Sequence, residues 1–583
     1  MVLSAIVGLL GGVGAVAFYF AANGVDSMLL GGLAGYRPPS VHGSVSADSI
    51  PFIDSLSMDH SWLLFLLPAL GGLVSGFLVY KFAPEAEGHG TDAAIDSFHN
   101  KGGHIRGRVP WIKALASVAT ISTGGSAGRE GPIAQIGAGI GSWLGAKLGL
   151  SAADRRILLL AGIAAGVGAT FRAPLAGALF AVEVLYRESD FEHEALIPAI
   201  ISSIVAYSLF GAVTGWEPLL DTPLFVFEQP GELILYLLLG IFCALLGVFY
   251  VRFFYRMRDF FSMLPVSPMF RPAIGGLALG ILAIFVPQVL GSGYGWVQAA
   301  LYGKVALWVM LTIAIAKIIA TSLTIPSGGS GGVFAPSLVI GALLGGTFGA
   351  TAEMFFPAMV ADPRAYVLVG MAGFFAGVSN TPIATLIMVS ELTGNYGLLA
   401  PLMLVCVISM IVHHRNSIYE NQVLNRAESP AHKGDFVVDV LEGITVGDLA
   451  DQGHQPLIIE EHISLSEILT RIAVAEGAYY PVVDNVGNLS GIFSVNDIRR
   501  ILDEEIPPGL VCAKDIATPK VITASPDDPM NTTLQLMSSK GLEEIPVVDQ
   551  KDSSRILFML TRRVLLARYA KELENKKGFY QES

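Results

Sequence analysis

Two glycine-rich loops hold residue types that can do chemistry. One reads S-T-G-G-S-A-G-R-E-G-P-I at 122–133 and the other I-P-S-G-G-S-G-G-V-F-A-P-S at 325–337. Each leads into an apolar stretch with a proline near its start, and proline suits a first helical turn because the N–H it lacks would be unpartnered there. Glycine lets backbone N–H groups approach a ligand closely. A helix N-terminus offers free N–H donors and the positive end of a dipole, so it favours an anion without an opposing full charge. Such a site releases a small anion that a lysine or arginine would hold longer. Glu130 stands inside the first loop. A carboxylate beside a helix N-terminus would fill an anion site when ionised and leave it when protonated, which makes a pH-sensitive gate. A helix-capping acid is the alternative for Glu130, and a simple chain turn is the alternative for each loop.

Other chemistries find little support. Cys243, Cys406 and Cys512 are far apart and form neither a disulfide framework nor a metal-ligand spacing. There is no H-E-x-x-H, and the serines near 122–126 have no evident histidine partner, which weighs against an intramembrane hydrolase. A scaffold merely anchored in the membrane would leave both glycine loops without a purpose.

The elements that must carry these loops follow from composition. The 583 residues are 52% hydrophobic and only 15% charged, with a mean hydropathy of +0.59 and 65 glycines. A soluble domain carries about a quarter charged residues, so membrane burial is the leading class, and the glycines suit closely packed membrane helices. The net charge of −13 is concentrated late: residues 431–583 hold 24 acids against 15 bases. An acidic balance argues against nucleic acid as a partner. The run Val2–Ala22 has no basic leader and reads as a first membrane helix rather than a cleaved signal peptide.

Apolar stretches near the roughly 20 residues that cross a bilayer lie at 61–81, 195–213, 232–254, 273–290, 305–325 and 398–412. Shorter pieces, broken by glycine and proline, lie at 111–124, 132–149, 157–169, 174–186, 334–350, 366–378 and 382–392 and are too short to span alone. Broken helices are tolerated where they line a buried site. They also repeat. Residues 161–185 align with 369–393 at an offset of 208, matching Gly162 with Gly370, Pro174 with Pro382 and Glu183 with Glu391. Residues 128–145 align with 332–349 at an offset of 204, matching Gly128 with Gly332, Pro132 with Pro336 and Gly137 with Gly341. The membrane part is therefore two related halves, and paired short segments point to a transport site.

After His414 the composition changes. Residues 426–436 are polar, with Pro430 and Gly434, and read as a linker. A soluble α/β pattern follows and is itself doubled, 477–502 resembling 541–566, each with P-V-V-D as a buried strand. The expected division is a membrane domain over 1–425, a linker over 426–442, modules over 443–505 and 506–575, and an end segment over 576–583.

The motifs G-R-E-G-P (128–132) followed by Q-I-G, A-P-L-A-G-A-L-F-A-V-E (173–183) and G-V-F-A-P (332–336), in this order, resemble signatures of the CLC chloride channel and transporter family. The tail resembles a pair of cystathionine-β-synthase-type (CBS) modules. The resemblance implies an all-α polytopic membrane domain of two inverted repeats followed by a tandem α/β CBS module. It implies a homodimer in membrane lipid, one anion pathway per subunit, chloride as the transported ion, no required cofactor or metal, and a cytoplasmic tail. Glu130 takes the position of the family's gating glutamate, with Arg129 beside it. Val333 and Phe334 take positions whose N–H groups bind the central anion, and Tyr419 that of a tyrosine whose hydroxyl contacts it. The CBS resemblance implies an adenine nucleotide (ATP, ADP or AMP) on Ser494 and Asp497, which fit a Ser/Thr-x-x-Asp pattern; the second copy, Thr561 to Val564, has no aspartate. The alternative is a structural, dimerising tail in which Asp497 caps a helix.

Two departures stand out. The family's first anion motif is often G-S-G-I-P, and here G-H-G-T-D occupies 88–92. His89 replaces the anion-contacting serine, Asp92 replaces proline, and Gly90 and Thr91 still offer N–H donors. A histidine there can add pH dependence, or it can turn away to an internal partner. Proton-coupled members commonly have E-E where this chain has Glu183-Val184, and valine carries no proton. This favours a chloride channel gated by Glu130, with a proton-coupled chloride antiporter as the alternative. Glu183 reads as structural, because its repeat mate is also glutamate.

Overall fold

The computed structural model describes residues 1–39, 61–413, 416–432, 443–473, 477–503, 507–550 and 552–581. Residues 433–442 of the expected linker, 504–506 at the expected module boundary, and 582–583 lie outside them. The chain forms two units, Met1–Ala431 and His432–Ser583.

The first unit is helical. Among the described residues, seven helices are long and apolar enough to cross a membrane. Among them are α1 (Val2–Asp26), which continues as a π-helical turn over Ser27–Leu33, and α2 (Ser61–Phe82). Shorter α3 (Thr91–Asn100) and α4 (Val109–Ile121) precede α5 (Glu130–Lys147), α6 (Ala152–Phe171), α7 (Pro174–Glu183) and α8 (His193–Thr214). The second half holds α9 (Leu233–Met263), α10 (Arg271–Phe285), α11 (Tyr294–Leu301), α12 (Leu307–Thr324), α13 (Phe334–Phe355), α14 (Ala365–Ser379), α15 (Pro382–Thr393) and α16 (Leu399–His413). With ten residues each, α3 and α7 reach about 15 Å, half the hydrocarbon thickness.

Some spans differ from expectation. α13 runs 22 residues and spans, although only 334–350 reads as apolar: the helix continues through Thr351 and Glu353, whose polarity ends the apolar run but not the hydrogen-bond ladder. α10 stops at Phe285, before Pro287. α16 has 15 residues, too few to cross alone.

The repeat seen in sequence is a repeat of packing. A Cβ on Gly137 would lie 2.0 Å from the carbonyl oxygen of Gly162, and one on Gly341 would lie 2.6 Å from that of Gly370. The same bare-backbone crossing thus joins α5 to α6 and α13 to α14. Arg172 and Asn380, at the same offset of 208, are the non-glycine residues with positive φ (57° and 55°) among those described, and end α6 and α14.

In the second unit, β1 (Ile459–Glu460), β2 (Tyr479–Val483) and β3 (Leu489–Ser494) form one sheet, β1 parallel and β3 antiparallel to β2. The hairpin β4 (Glu544–Val548) and β5 (Ile556–Thr561) repeats the β2–β3 pairing down to its irregularity, between Val482 and Val483 in one and Val547 and Val548 in the other. Helices α17 (Leu465–Ile472), α18 (Val495–Asp503), α19 (Ala513–Ile516), α20 (Met530–Lys540) and α21 (Arg562–Gln581) cover the strands. The cores exchange chain. Val446 and Leu449 pack with Ile545 and Leu560, whereas Ala513 and Ile516 pack with Tyr480 and Phe493. Each module is completed by residues adjoining the other, which makes the pair one folding unit.

Candidate functional site

The two glycine loops meet. Gly128 N donates to Gly332 O at 2.7 Å and Gly332 N donates back to Gly128 O at 2.8 Å, an antiparallel pair between the halves. Buried hydroxyls lock the contact in the same exchanged manner, Ser126 with Thr321 at 3.0 Å and Ser117 with Ser330 at 2.9 Å. Ser126 and Ser330, the loop serines in this contact, thus serve as joinery.

A third loop joins them. Gly331 N donates to Gly88 O at 3.2 Å, and a Cβ on Gly131 would lie 2.2 Å from His89 O and 2.9 Å from the Cα of Gly332. Only glycine fits at 131. Three helices start here: α3 after Gly90 (φ 84°), α5 after Arg129, and α13 after Val333. None of the three has a side-chain cap, whereas α6 elsewhere has Ser151 accepting from Asp154 N at 3.1 Å. Uncapped first turns leave N–H donors free. At about 1 kcal/mol for each N-terminus, three sum to about 3 kcal/mol, which corresponds to a dissociation constant of several millimolar.

The sequence-derived residues fall around this junction. Glu130 is 3% exposed; its Oε1 accepts from the Tyr294 hydroxyl at 3.1 Å, and its Oε2 lies against Gly128 with no partner among the described residues. Arg129 turns its guanidinium to the ring of Tyr19, 5.7 Å away, and offers the site backbone only. The ring of Phe334 stacks at 3.9 Å on Phe375 and 4.7 Å from Phe171, so this residue too presents its N–H. His89 lies 5.4 Å from the ring of Tyr419. His89 Nδ1 and the Tyr419 hydroxyl, which faces Thr91, are buried without a hydrogen-bond partner among the described residues. Asp92 accepts from Asn421 N at 2.8 Å and Asn421 Nδ2 at 2.6 Å, which ties the histidine loop to the tyrosine segment. Val184 is wholly buried, and its carbonyl accepts from Gln422 at 2.9 Å.

Sequence reasoning missed three residues. Lys113 is fully buried and donates to Ala86 O (3.0 Å) and Gly88 O (2.6 Å), bracing the turn that ends at His89. Lys317, at the 204 offset, does the same for Val289 O (2.8 Å) and Gly291 O (2.6 Å), bracing the turn before Tyr294. Two lysines inside apolar stretches at one repeat offset were the available signal. Tyr294 itself gave none, since its partner is 164 residues away.

Glu183 on α7 and Glu391 on α15 each cap the helix that carries the other. Glu183 accepts from Ile383 N (3.1 Å) and Ala384 N (2.7 Å) at the start of α15, and Glu391 accepts from Leu175 N (3.4 Å) and Ala176 N (2.8 Å) at the start of α7. A carboxylate on a helix N-terminus is thus a structural device in this fold as well as a candidate gate.

In the tail, Ser494 N and Oγ donate to Asp497 Oδ2 at 2.9 and 2.8 Å, a cap for α18. The same cap recurs at Thr445–Asp448 and Cys512–Asp515, and Ser525 N donates to Asp528 at 2.7 Å. Its hydrogen bonds hold Asp448 and Asp515 below the ordinary aspartate range. Burial pushes the Glu544 carboxyl up. Among the described residues no cluster of His, Cys, Asp or Glu is placed for a metal ion.

A family model described as "Voltage gated chloride channel" matches residues 71–414, and one described as "CBS domain" matches 446–504 and 513–570. The "H(+)/Cl(-) exchange transporter ClcA" of Salmonella agona is 32% identical over 417 residues, 69% of this chain and 83% of that one. A "slow cyanobacterial Cl-/H+ antiporter" superposes with a TM-score of 0.63 at 23% identity, over 72% of this chain and 96% of that one. A "eukaryotic CLC transporter" does so with 0.58 at 19% identity, over 96% and 97%.

These findings overturn the expectation of a chloride channel. It rested on valine at 184, yet relatives at 32% identity are named exchange transporters. The physical reason is that valine at 184 removes one possible proton carrier and leaves the carboxylate of Glu130 in place. Exchange requires only that anion and proton occupancy of a shared site alternate, and a carboxylate at that site achieves this wherever its proton enters.

Proposed function

Because the chain belongs to the CLC family and carries two CBS domains after its membrane part, we propose that it exchanges chloride for protons across a membrane, with Glu130 as the group that both must engage. It is a multi-pass integral membrane protein and not an enzyme. The observation that carries the proposal is the Glu130 carboxylate, buried at the meeting point of three uncapped helix starts with one oxygen unpartnered among the described residues. Ionised, it fills the place an anion would take; protonated, it leaves. The names of the 31–32% identical relatives support the coupling.

The site consists of Glu130, the N–H groups of Gly90, Thr91, Arg129, Val333 and Phe334, and the side chains of His89 and Tyr419. The protein acts as a homodimer, with apolar residues such as Ile204 and Ile315 facing lipid or the second subunit. The tail is cytoplasmic and modulates exchange. An adenine nucleotide on Ser494 and Asp497 is the finer part of this reading; the recurrence of the same cap elsewhere in the tail makes that four-residue pattern less specific. The division into 1–425, 426–442, 443–505, 506–575 and 576–583 is supported by the family matches.

Full-length protein in liposomes with a chloride gradient tests this. Protons should move uphill against chloride, and Glu130→Gln should abolish proton movement while leaving a chloride leak insensitive to pH. Chloride flux without proton movement in the unaltered protein overturns the reading.

A further inference from the structure

Exchange at Glu130 needs a group that brings it protons, and the side chains around the first anion loop narrow the choice. Lys113, from α4, gives its protons to two carbonyls. Asp92, next to the loop, has both oxygens engaged by Asn421. Arg258, from α9, is paired with Glu420. Tyr419 is a phenol, which ordinarily releases its proton only near about pH 10. Val184 is an alkane. His89 remains, and imidazole is the side chain that exchanges protons near neutral pH.

Its placement suits the task. Thr91 and Val333 are 1% exposed and Tyr419 is 0% exposed, while His89 keeps 9%. The chain before it opens outward, with Gly88 partly exposed and Glu87 exposed. Its Nδ1 is buried without a partner among the described residues, as are the Tyr419 hydroxyl and Glu130 Oε2. On the other side, its carbonyl lies against Gly131, the residue after Glu130. The ring itself lies 5.4 Å from that of Tyr419 and 6.5 Å from that of Phe254, so the loop that carries it joins the exposed Glu87 to the junction where Glu130 starts its helix.

We propose that His89 relays protons between solvent and Glu130. The imidazole takes up a proton from water, and the imidazolium passes it through water in the anion path to the carboxylate; one N–H bond breaks as one O–H bond forms. The transient imidazolium also favours an anion beside it, which links the two occupancies. The N–H groups and Tyr419 hold the anion, and His89, beside it, also supplies the titration. This rests on the exchange reading above.

The test follows chloride and proton flux together in liposomes for the full-length protein, His89→Gln and His89→Ser. The expected result is a ratio of proton to chloride flux reduced at least about 100-fold in His89→Gln, the scale of a lost positioned proton carrier, whatever the change in chloride flux itself. Proton flux unchanged in His89→Gln, in a protein that does exchange, overturns the relay and leaves the exchange reading standing. An unaltered protein that moves no protons overturns both. If His89→Gln loses both fluxes, His89→Ser decides: chloride flux restored without protons supports the relay, and loss of both again assigns His89 to anion passage alone and overturns it.

Discussion

Residues 130 and 334 hold equivalent places in the two halves, each opening a helix after a glycine loop, yet one is a glutamate and the other a phenylalanine. The scaffolds around them match closely. Gly124 and Gly328 share a φ of 102°, Lys113 and Lys317 brace matching turns, and Ser117 and Ser126 meet Ser330 and Thr321 across the junction. The chemistry does not match. The ring of Phe334 is stacked into the protein, and the Glu130 carboxylate is left with a free oxygen. Thr91 opens α3, and its counterpart Tyr294 opens α11 and reaches across to Glu130. The duplicated scaffold brings two matching helix starts together, and the departures from symmetry leave one carboxylate between them.

Breaking the matched part should have the largest effects. Lys113→Met and Lys317→Met each leave two carbonyls without their donor, at about 1–3 kcal/mol per buried group. Both should lower the thermal midpoint of the detergent-solubilised protein by similar amounts. Lys113→Met should also depress transport more, because its turn ends at His89. Equal transport loss in both would argue that the turns act only on stability.

The exchanged glutamates come next. Glu183→Gln and Glu391→Gln weaken a charge-assisted helix cap worth about 1–2 kcal/mol. Glu183, fully buried, should cost more in thermal midpoint than the partly exposed Glu391. The reverse order would show that Glu183 is not held mainly by the α15 amides.

Tyr294→Phe sharpens the asymmetry. It removes one hydrogen bond from Glu130, worth about 1 kcal/mol, or roughly fivefold in how long the carboxylate occupies the site. Chloride flux at neutral pH should rise by about that factor; a fall would mean that the hydroxyl serves the open site instead.

The smallest effect lies in the tail. Asp448 and Asp515 titrate below their ordinary range when folded. Their stabilisation is therefore complete above the unfolded value near about pH 4 and is lost as pH falls through the lower folded values. Amide protection factors at β2, whose module Asp515 caps, should stay flat from neutral pH to about 4 and fall below it; a fall already at pH 6 would contradict this.

Much of the site was legible because helix starts announce themselves locally. Glycine, proline and an acid within a dozen residues mark Glu130, and a fixed offset marks its counterpart loop. Tyr294 was not legible, since nothing near it in sequence speaks of a carboxylate. Channel against exchanger was misjudged because Val184 reports what one position lacks, whereas coupling depends on every group that can deliver a proton.

By itself the sequence determined that this is a membrane protein in two related halves, with glycine-lined helix starts, one carboxylate among them and a doubled α/β tail. Those properties follow from hydropathy and backbone propensity, which act over one or two turns. Only the tertiary structure decided that Gly128 pairs with Gly332, that Glu183 and Glu391 cap each other's helices, and that the tail modules share their cores. These contacts join residues far apart in the chain, and their geometry arises from how the halves pack, which no local pattern encodes.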